Sequence, residues 1–201
     1  PQTLSDFISV DNTLYFIGYN SGTYSELWKS NGTDAGTMLV KDIEPNGSSL
    51  ISNMVLMNGE LYFKAFNWEH GHELWKSDGS EAGTVLVKDI FPGPTSGSLG
   101  SANPSSLTNI NGSLLFAADD GTNGKELWKS DGTNAGTVIV KDITPGITDT
   151  FGLSFFTPLN GELLFRADDS FHGNELWTSN GTAEGTAILQ DICTGTCDGF
   201  D

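Results

Sequence analysis

At 201 residues the chain is long enough to bury a core, either as one domain or as one array of repeats. Nine Lys and Arg stand against 26 Asp and Glu, a formal charge of −17 that repels phosphate backbones and anionic bilayers, so nucleic acid is excluded as a default partner. No stretch approaches the roughly 18 consecutive apolar residues of a membrane helix, which argues against membrane insertion. The chain opens on Pro-Gln-Thr-Leu without a basic-then-apolar segment, so an export signal is expected upstream or already removed.

Taken in chain order, one core recurs four times. Glu26-Leu27-Trp28-Lys29-Ser30-Asn31-Gly32-Thr33 is matched without a gap from Glu73 to Ser80, from Glu126 to Thr133 and from Glu175 to Thr182. Each copy has a Phe ten residues before its Glu: Phe16, Phe63, Phe116 and Phe165. Each continues into an Ala/Glu-Gly-Thr turn and a β-branched run that closes on Asp-Ile at Asp42, Asp89, Asp142 and Asp191. A fixed period decides architecture before any local pattern does. It divides the chain into units of approximately 1–47, 48–98, 99–147 and 148–201, read together as a single propeller domain.

The third unit shows the predicted elements best. Ser106 to Ile110 reads as a strand, Asn111-Gly112 as a tight turn with φ > 0 at both centres, and Ser113 to Ala118 as a second strand. Asp119 to Gly124 is made of turn formers. Glu126 to Ser130 forms a third strand, 131–136 a turn, and Thr137 to Ile143 a fourth strand, after which Pro145-Gly146 opens a longer connection. No segment carries a sustained 3.6-residue apolar period. The fold class is therefore all-β, a β-propeller of four four-stranded antiparallel blades. A closed ring is expected; Asp191 to Asp201 reads as a link toward a further repeat, so an open array, or part of a larger propeller or fibre, is the alternative. A lone meander cannot bury both faces, and Trp28, Trp75, Trp128 and Trp177, equivalent in the third strand, are the predicted packing residues between blades.

These motifs resemble the ELWxxDGT-repeat family of large secreted or surface bacterial proteins. The likeness covers all four repeats, and the third copy, from Glu126 to Thr133 with Ala-Gly-Thr and Val-Lys-Asp-Ile after it, is nearest the pattern. Copies one and four depart from it with Asn31 and Asn180 where Asp is usual. The resemblance implies a propeller and an extracellular or cell-surface location; it implies no particular activity.

Meander order places the second-to-third loop and the end of the fourth strand at one end of each blade. That end collects Asp119, Asp120, Glu126 and Asp142 in blade three, and Asp168, Asp169, Glu175 and Asp191 in blade four. Such oxygen-rich loops suit Ca²⁺, the one cofactor expected. The alternative is that the Asp and Asn residues here make side-chain-to-backbone turn bonds while Lys41, Lys88 or Lys141 pairs with a carboxylate. Trp68 lies outside the repeat pattern, in a loop, and is the candidate ligand contact. His70, His72 and His172 read as surface residues, and no Ser/His/Asp set stands out, so no catalytic residue is assigned.

Cys193 and Cys197 can close a small disulfide loop or remain free thiols. Sequons at Asn31, Asn46, Asn111 and Asn180 mostly coincide with repeat turns. The functional expectation is a non-catalytic extracellular structural or adhesive module, not an enzyme, that attaches to surfaces or assembles into arrays or fibres. Its partners would be copies of itself, neighbouring repeats or domains, a glycan or a surface protein. A calcium-dependent ligand or glycan binder is the alternative, and a glycoside hydrolase with paired carboxylates a remote one.

Overall fold

The computed structural model describes residues 7–93, 100–146, 149–196 and 199. Among them every helix or strand is a strand. Blade one holds β1 (Ile8–Val10), β2 (Thr13–Asn20), β3 (Tyr24–Ser30) and β4 (Met38–Lys41). Blade two holds β5 (Ser52–Met57), β6 (Glu60–Asn67), β7 (Gly71–Ser77) and β8 (Val85–Lys88). Blade three holds β9 (Ser105–Ile110), β10 (Ser113–Asp119), β11 (Lys125–Ser130) and β12 (Val138–Lys141). Blade four holds β13 (Phe151–Leu159), β14 (Glu162–Asp168), β15 (Asn174–Ser179) and β16 (Thr186–Gln190). In each sheet sequential strands are neighbours and antiparallel, the predicted meander. The chain divides into two compact units, Pro1–Ser101 and Ala102–Asp201, with two blades in each.

The register explains the repeat. Phe16, Phe63, Phe116 and Phe165 stand directly across from Trp28, Trp75, Trp128 and Trp177. Both members of a pair face the same side of the sheet, because side chains alternate along a strand. In blades two, three and four the hairpin turn before the second strand has the left-handed pair that Asn-Gly favours, with φ of 52° at Asn111 and 82° at Gly112.

In the first unit, Leu61, Phe63, Ala65 and Trp75 of blade two pack on Leu27, Val40 and Ile43 of blade one. In the second, Leu163, Phe165, Ala167 and Trp177 of blade four pack on Leu115, Ala117, Leu127 and Val140 of blade three. Burying each large apolar side chain contributes about 1.5–3 kcal/mol. Trp75, Trp128 and Trp177 are buried, whereas Trp28 is half-buried.

Two lysines latch each of these blade pairs. Lys29 Nζ donates to Gly79 O at 2.8 Å and Lys41 Nζ to Thr84 O at 2.9 Å. In the second unit Lys129 Nζ reaches Gly181 O at 2.9 Å and Lys141 Nζ reaches Thr186 O at 2.7 Å. The acceptors are carbonyls in the Asp/Asn-Gly-Thr turn region of the following blade. For Lys41 and Lys141 this corrects the expected pairing with a carboxylate: the stem crosses to the next blade and the ammonium meets backbone acceptors there.

Candidate functional site

The glutamate that opens each motif is fully buried: Glu26, Glu73, Glu126 and Glu175 have no exposed surface. Its carboxylate takes the backbone N–H groups that follow the fourth strand. Glu126 Oε2 accepts from Ile143 N at 2.8 Å, and Oε1 from Thr144 N at 3.4 Å and Thr150 Oγ1 at 2.5 Å. Glu26 accepts from Ile43 N and Ser49 N, both at 3.1 Å, and Glu175 from Ile192 N at 2.9 Å and Cys193 N at 3.2 Å. This explains why β12 stops at Lys141 and not at Ile143: beyond it the carboxylate replaces a strand as hydrogen-bond partner. Burial pushes Glu26 and Glu126 up to about 7, against the lowering effect of their hydrogen bonds.

The acids of the second-to-third loop are bound into turns. Asp119 Oδ1 accepts from Gly121 N and Asp168 Oδ1 from Ser170 N, both at 2.7 Å. Asp120 Oδ1 accepts from Thr122 N and Asn123 N, and Oδ2 from Asn123 Nδ2, all at 2.8 Å. Asp169 holds Phe171 N, His172 N and the His172 ring, the last at 2.8 Å. Asn20 and Asn67 do the same work in blades one and two. The position thus asks for an Asx acceptor, which Asn and Asp both supply. Similarly, Asn31 and Asn180 accept from the Thr33 and Thr182 hydroxyls as Asp131 does from Thr133, so Asn substitutes for Asp there without loss of the turn. The four sequon asparagines are exposed.

The Asp that closes each fourth strand differs. Asp42, Asp89, Asp142 and Asp191 each keep a buried Oδ1 without a hydrogen bond among the described residues. Asp89 turns Oδ2 to His70 Nδ1 at 3.0 Å. Burial raises Asp142, and the charge of Asp120 raises it further, against an N–H bond from Gly146. Burial acts on Asp120 in the same direction, but the N–H groups of Asn123 and Thr122 and the Asn123 amide outweigh it and hold Asp120 below the usual carboxylate range. The two carboxylates at this end of blade three are therefore driven apart in acidity. Blade four has Asp at both positions, yet its Asp169 carries His172 as a partner; blades one and two have Asn at the loop position.

Among the described residues no three His, Cys, Asp or Glu are grouped so as to hold a metal ion. Trp68 is 65% exposed, with its backbone N–H donating to Glu44 Oε2 at 2.8 Å and its ring edge-on to Phe66 at 5.3 Å. Glu44, nearly buried, carried no signal in the repeat, since the equivalent positions hold Phe91, Thr144 and Cys193. Cys193 has no free thiol, and Cys197 lies outside the described residues. No helix among the described residues is long and apolar enough to cross a membrane.

No protein-family model matches the chain, and no curated protein matches it. Among solved structures, a mutant puromycin hydrolase complexed with PGG is similar at TM-score 0.57 and 16% identity, over 95% of this chain and 31% of that one. The xyloglucan PUL GH43B of Bacteroides ovatus matches at TM-score 0.43 and 14% identity, over 90% of this chain and 39% of that one. An α-L-arabinofuranosidase of Clostridium thermocellum matches at TM-score 0.40 and 14% identity, over 94% and 70% of the two chains. This chain thus spans about a third of the puromycin hydrolase it matches. The first match shows a shared fold, consistent with the blades described above. Two expectations are corrected, that the chain is a non-catalytic structural or adhesive module and that it is not an enzyme: the solved protein whose fold it shares is a hydrolase.

Proposed function

We propose that the chain is a glycan-hydrolysing propeller in which Asp142 and Asp120 of blade three supply the two carboxylates. The observation that carries this reading is their arrangement. Asp142 follows β12, Asp120 sits in the β10–β11 loop at the same blade end, and the two are near enough for the charge of one to raise the other. Glycosidic cleavage needs one carboxyl group that holds a proton for the leaving oxygen and one that stays ionised. Asp142, half-buried and raised by that burial, suits the first role, and Asp120, pinned by three donors, suits the second. The repeated glutamates do not suit either role, because they are enclosed and consumed by backbone N–H groups.

The reading includes membership of the ELWxxDGT-repeat family, supported by four motif copies, and action outside the cell, supported by the oxidised Cys193. Release of reducing ends from a panel of neutral and acidic polysaccharides tests the activity. Asp142→Asn and Asp120→Asn are each expected to lower the rate by about 10²- to 10⁴-fold with the fold intact. Wild-type protein that releases nothing, or variants that keep full rate, would defeat the assignment.

Calcium at the same end is a second proposal, favoured by the four Oδ1 atoms that lack a hydrogen bond. Addition of about 1–5 mM calcium, an ordinary range for extracellular sites, should then raise the melting temperature, and Asp142→Asn should lessen the rise. An unmoved melting temperature rejects it.

A further inference from the structure

Blade four departs from the repeat on its outer face. In blade three the corresponding face offers Leu115, Ala117 and Leu127, nearly or wholly inaccessible beneath blade four. The same register positions in blade four are Leu164, Arg166 and Leu176, all partly exposed. The two latch lysines of blade three, Lys129 and Lys141, are replaced by Thr178 and Gln190. A face meant to receive another blade of this repeat would keep those cations for the incoming turn carbonyls. Blade four has lost both, and has gained a guanidinium in the middle of the face.

A second departure lies beside it. The first strand of blades two, three and four has a bulge whose residue takes a left-handed conformation: Asn53 at φ 57°, Ser106 at φ 58° and Phe155 at φ 57°. Asn tolerates that region through local hydrogen bonding, while a bulky aromatic is strained in it. Phe155 is nonetheless 70% exposed, so core packing does not repay the strain. Strain held at an exposed aromatic points to a ligand contact.

The two departures meet. The Arg166 guanidinium lies over the Phe155 ring, 5.1 Å from its centroid, and Nε donates to Gly152 O at 3.3 Å. Among the described residues no carboxylate is within ion-pair distance of Arg166, the chain's single arginine. A cavity of about 400 Å³, with Phe155, Leu164, Phe165 and Leu176 in its wall, opens on one side of Arg166. A second, of about 290 Å³, is lined by Arg166 with Ser154, Lys125 and Asp149, whose Oδ1 already accepts from Lys125 N at 2.9 Å. An apolar platform, the Ser154 and Thr157 hydroxyl oxygens, which donate to backbone carbonyls and keep lone pairs to accept, and the guanidinium N–H groups other than Nε match a ring with one flat apolar face, several hydroxyls and a carboxylate.

We propose that the outer face of blade four binds a uronate, an acidic sugar, with its ring against Phe155 and its carboxylate on Arg166. Neither Asp120 nor Asp142 lines these cavities, and the test reads binding and not turnover. Wild-type protein is titrated by calorimetry with an oligogalacturonate, with the neutral galactan oligomer of equal length and with benzoate. The uronate oligomer should bind at least tenfold more tightly than either of the others. Arg166→Ala and Phe155→Ser install the residues that blade three tolerates at these positions, so both should fold, and each should weaken uronate binding at least tenfold. Equal affinity for the neutral oligomer, tighter binding of benzoate, full affinity in either variant, or no binding at all overturns the proposal. So does a particle mass that rises with concentration and falls on Arg166→Ala, which would assign the face to a second copy of the chain.

Discussion

Glu126 Oε2 and the backbone N–H of Ile143 meet at 2.8 Å inside blade three, and this contact fixes where the fourth strand ends. Its loss should be costly. Glu126→Ala strands the Ile143 and Thr144 N–H groups and the Thr150 hydroxyl, each a buried donor worth about 1–3 kcal/mol when unsatisfied. Allowing for water entry, we expect a loss of roughly 3 kcal/mol or more, read as a lower urea midpoint at neutral pH.

The same burial makes stability depend on pH in an unusual direction for carboxylates. Glu26 and Glu126 are pushed up to about 7 in the folded chain, while an unfolded glutamate titrates near about 4.3. Between these values the native state binds more protons than the unfolded one, so stability falls as pH rises through this window. The contribution is fully present below the unfolded value and lost above about 7; it is on the order of 3 kcal/mol for each glutamate. General self-repulsion at a charge of −17 has the same sign. The diagnostic is therefore the difference between wild type and Glu126→Gln. Urea unfolding at pH 5 and pH 8 should show a smaller loss in the variant, and an identical loss would remove the argument.

Much of this architecture was legible in the residues, because the repeat reports its own packing. Phe116 across from Trp128, and Asn111-Gly112 at the hairpin, follow from alternation and turn chemistry that a single strand pair dictates. The acidic blade end was legible as a place, since meander order brings Asp120 and Asp142 to one side. The role of Glu126 was not: the sequence places it among acids suited to Ca²⁺, and its burial depends on the Ile143 N–H and the Thr150 hydroxyl, donors from a link about 20 residues away in sequence. Arg166 and Phe155 were missed for another reason. Each departs from the repeat at only one position, and the significance of Phe155 lies in a left-handed bulge that no composition signals.

Indole exposure separates Trp68 from the repeat tryptophans. Trp68 is 65% exposed, against 4–6% for Trp75, Trp128 and Trp177. Acrylamide should quench Trp68 readily, and Trp68→Phe should remove most of the quenchable emission, with a smaller remainder from half-buried Trp28. A quenching curve unchanged by Trp68→Phe would contradict the burial of the repeat indoles.

The lysine latch makes the last prediction. Lys141 Nζ donates to Thr186 O at 2.7 Å and lies 5.7 Å from the Trp177 ring centroid, so it joins two blades through a charge-assisted hydrogen bond and a cation–π contact. Lys141→Met keeps the apolar stem and removes both. A hydrogen bond from a charged donor contributes about 1.5–3 kcal/mol when well made, and partial exposure discounts it, so we expect a loss of about 1–2 kcal/mol. Gln190 occupies the equivalent position in blade four, where its amide donates to the carbonyl of its neighbour Asp191, at 3.1 Å. Gln190→Met should therefore change stability by no more than about 0.5 kcal/mol. Urea unfolding of the two variants side by side decides the point. Equal losses would show that the lysine acts by strand propensity or surface charge, and that the turn carbonyl it reaches contributes nothing to joining the blades.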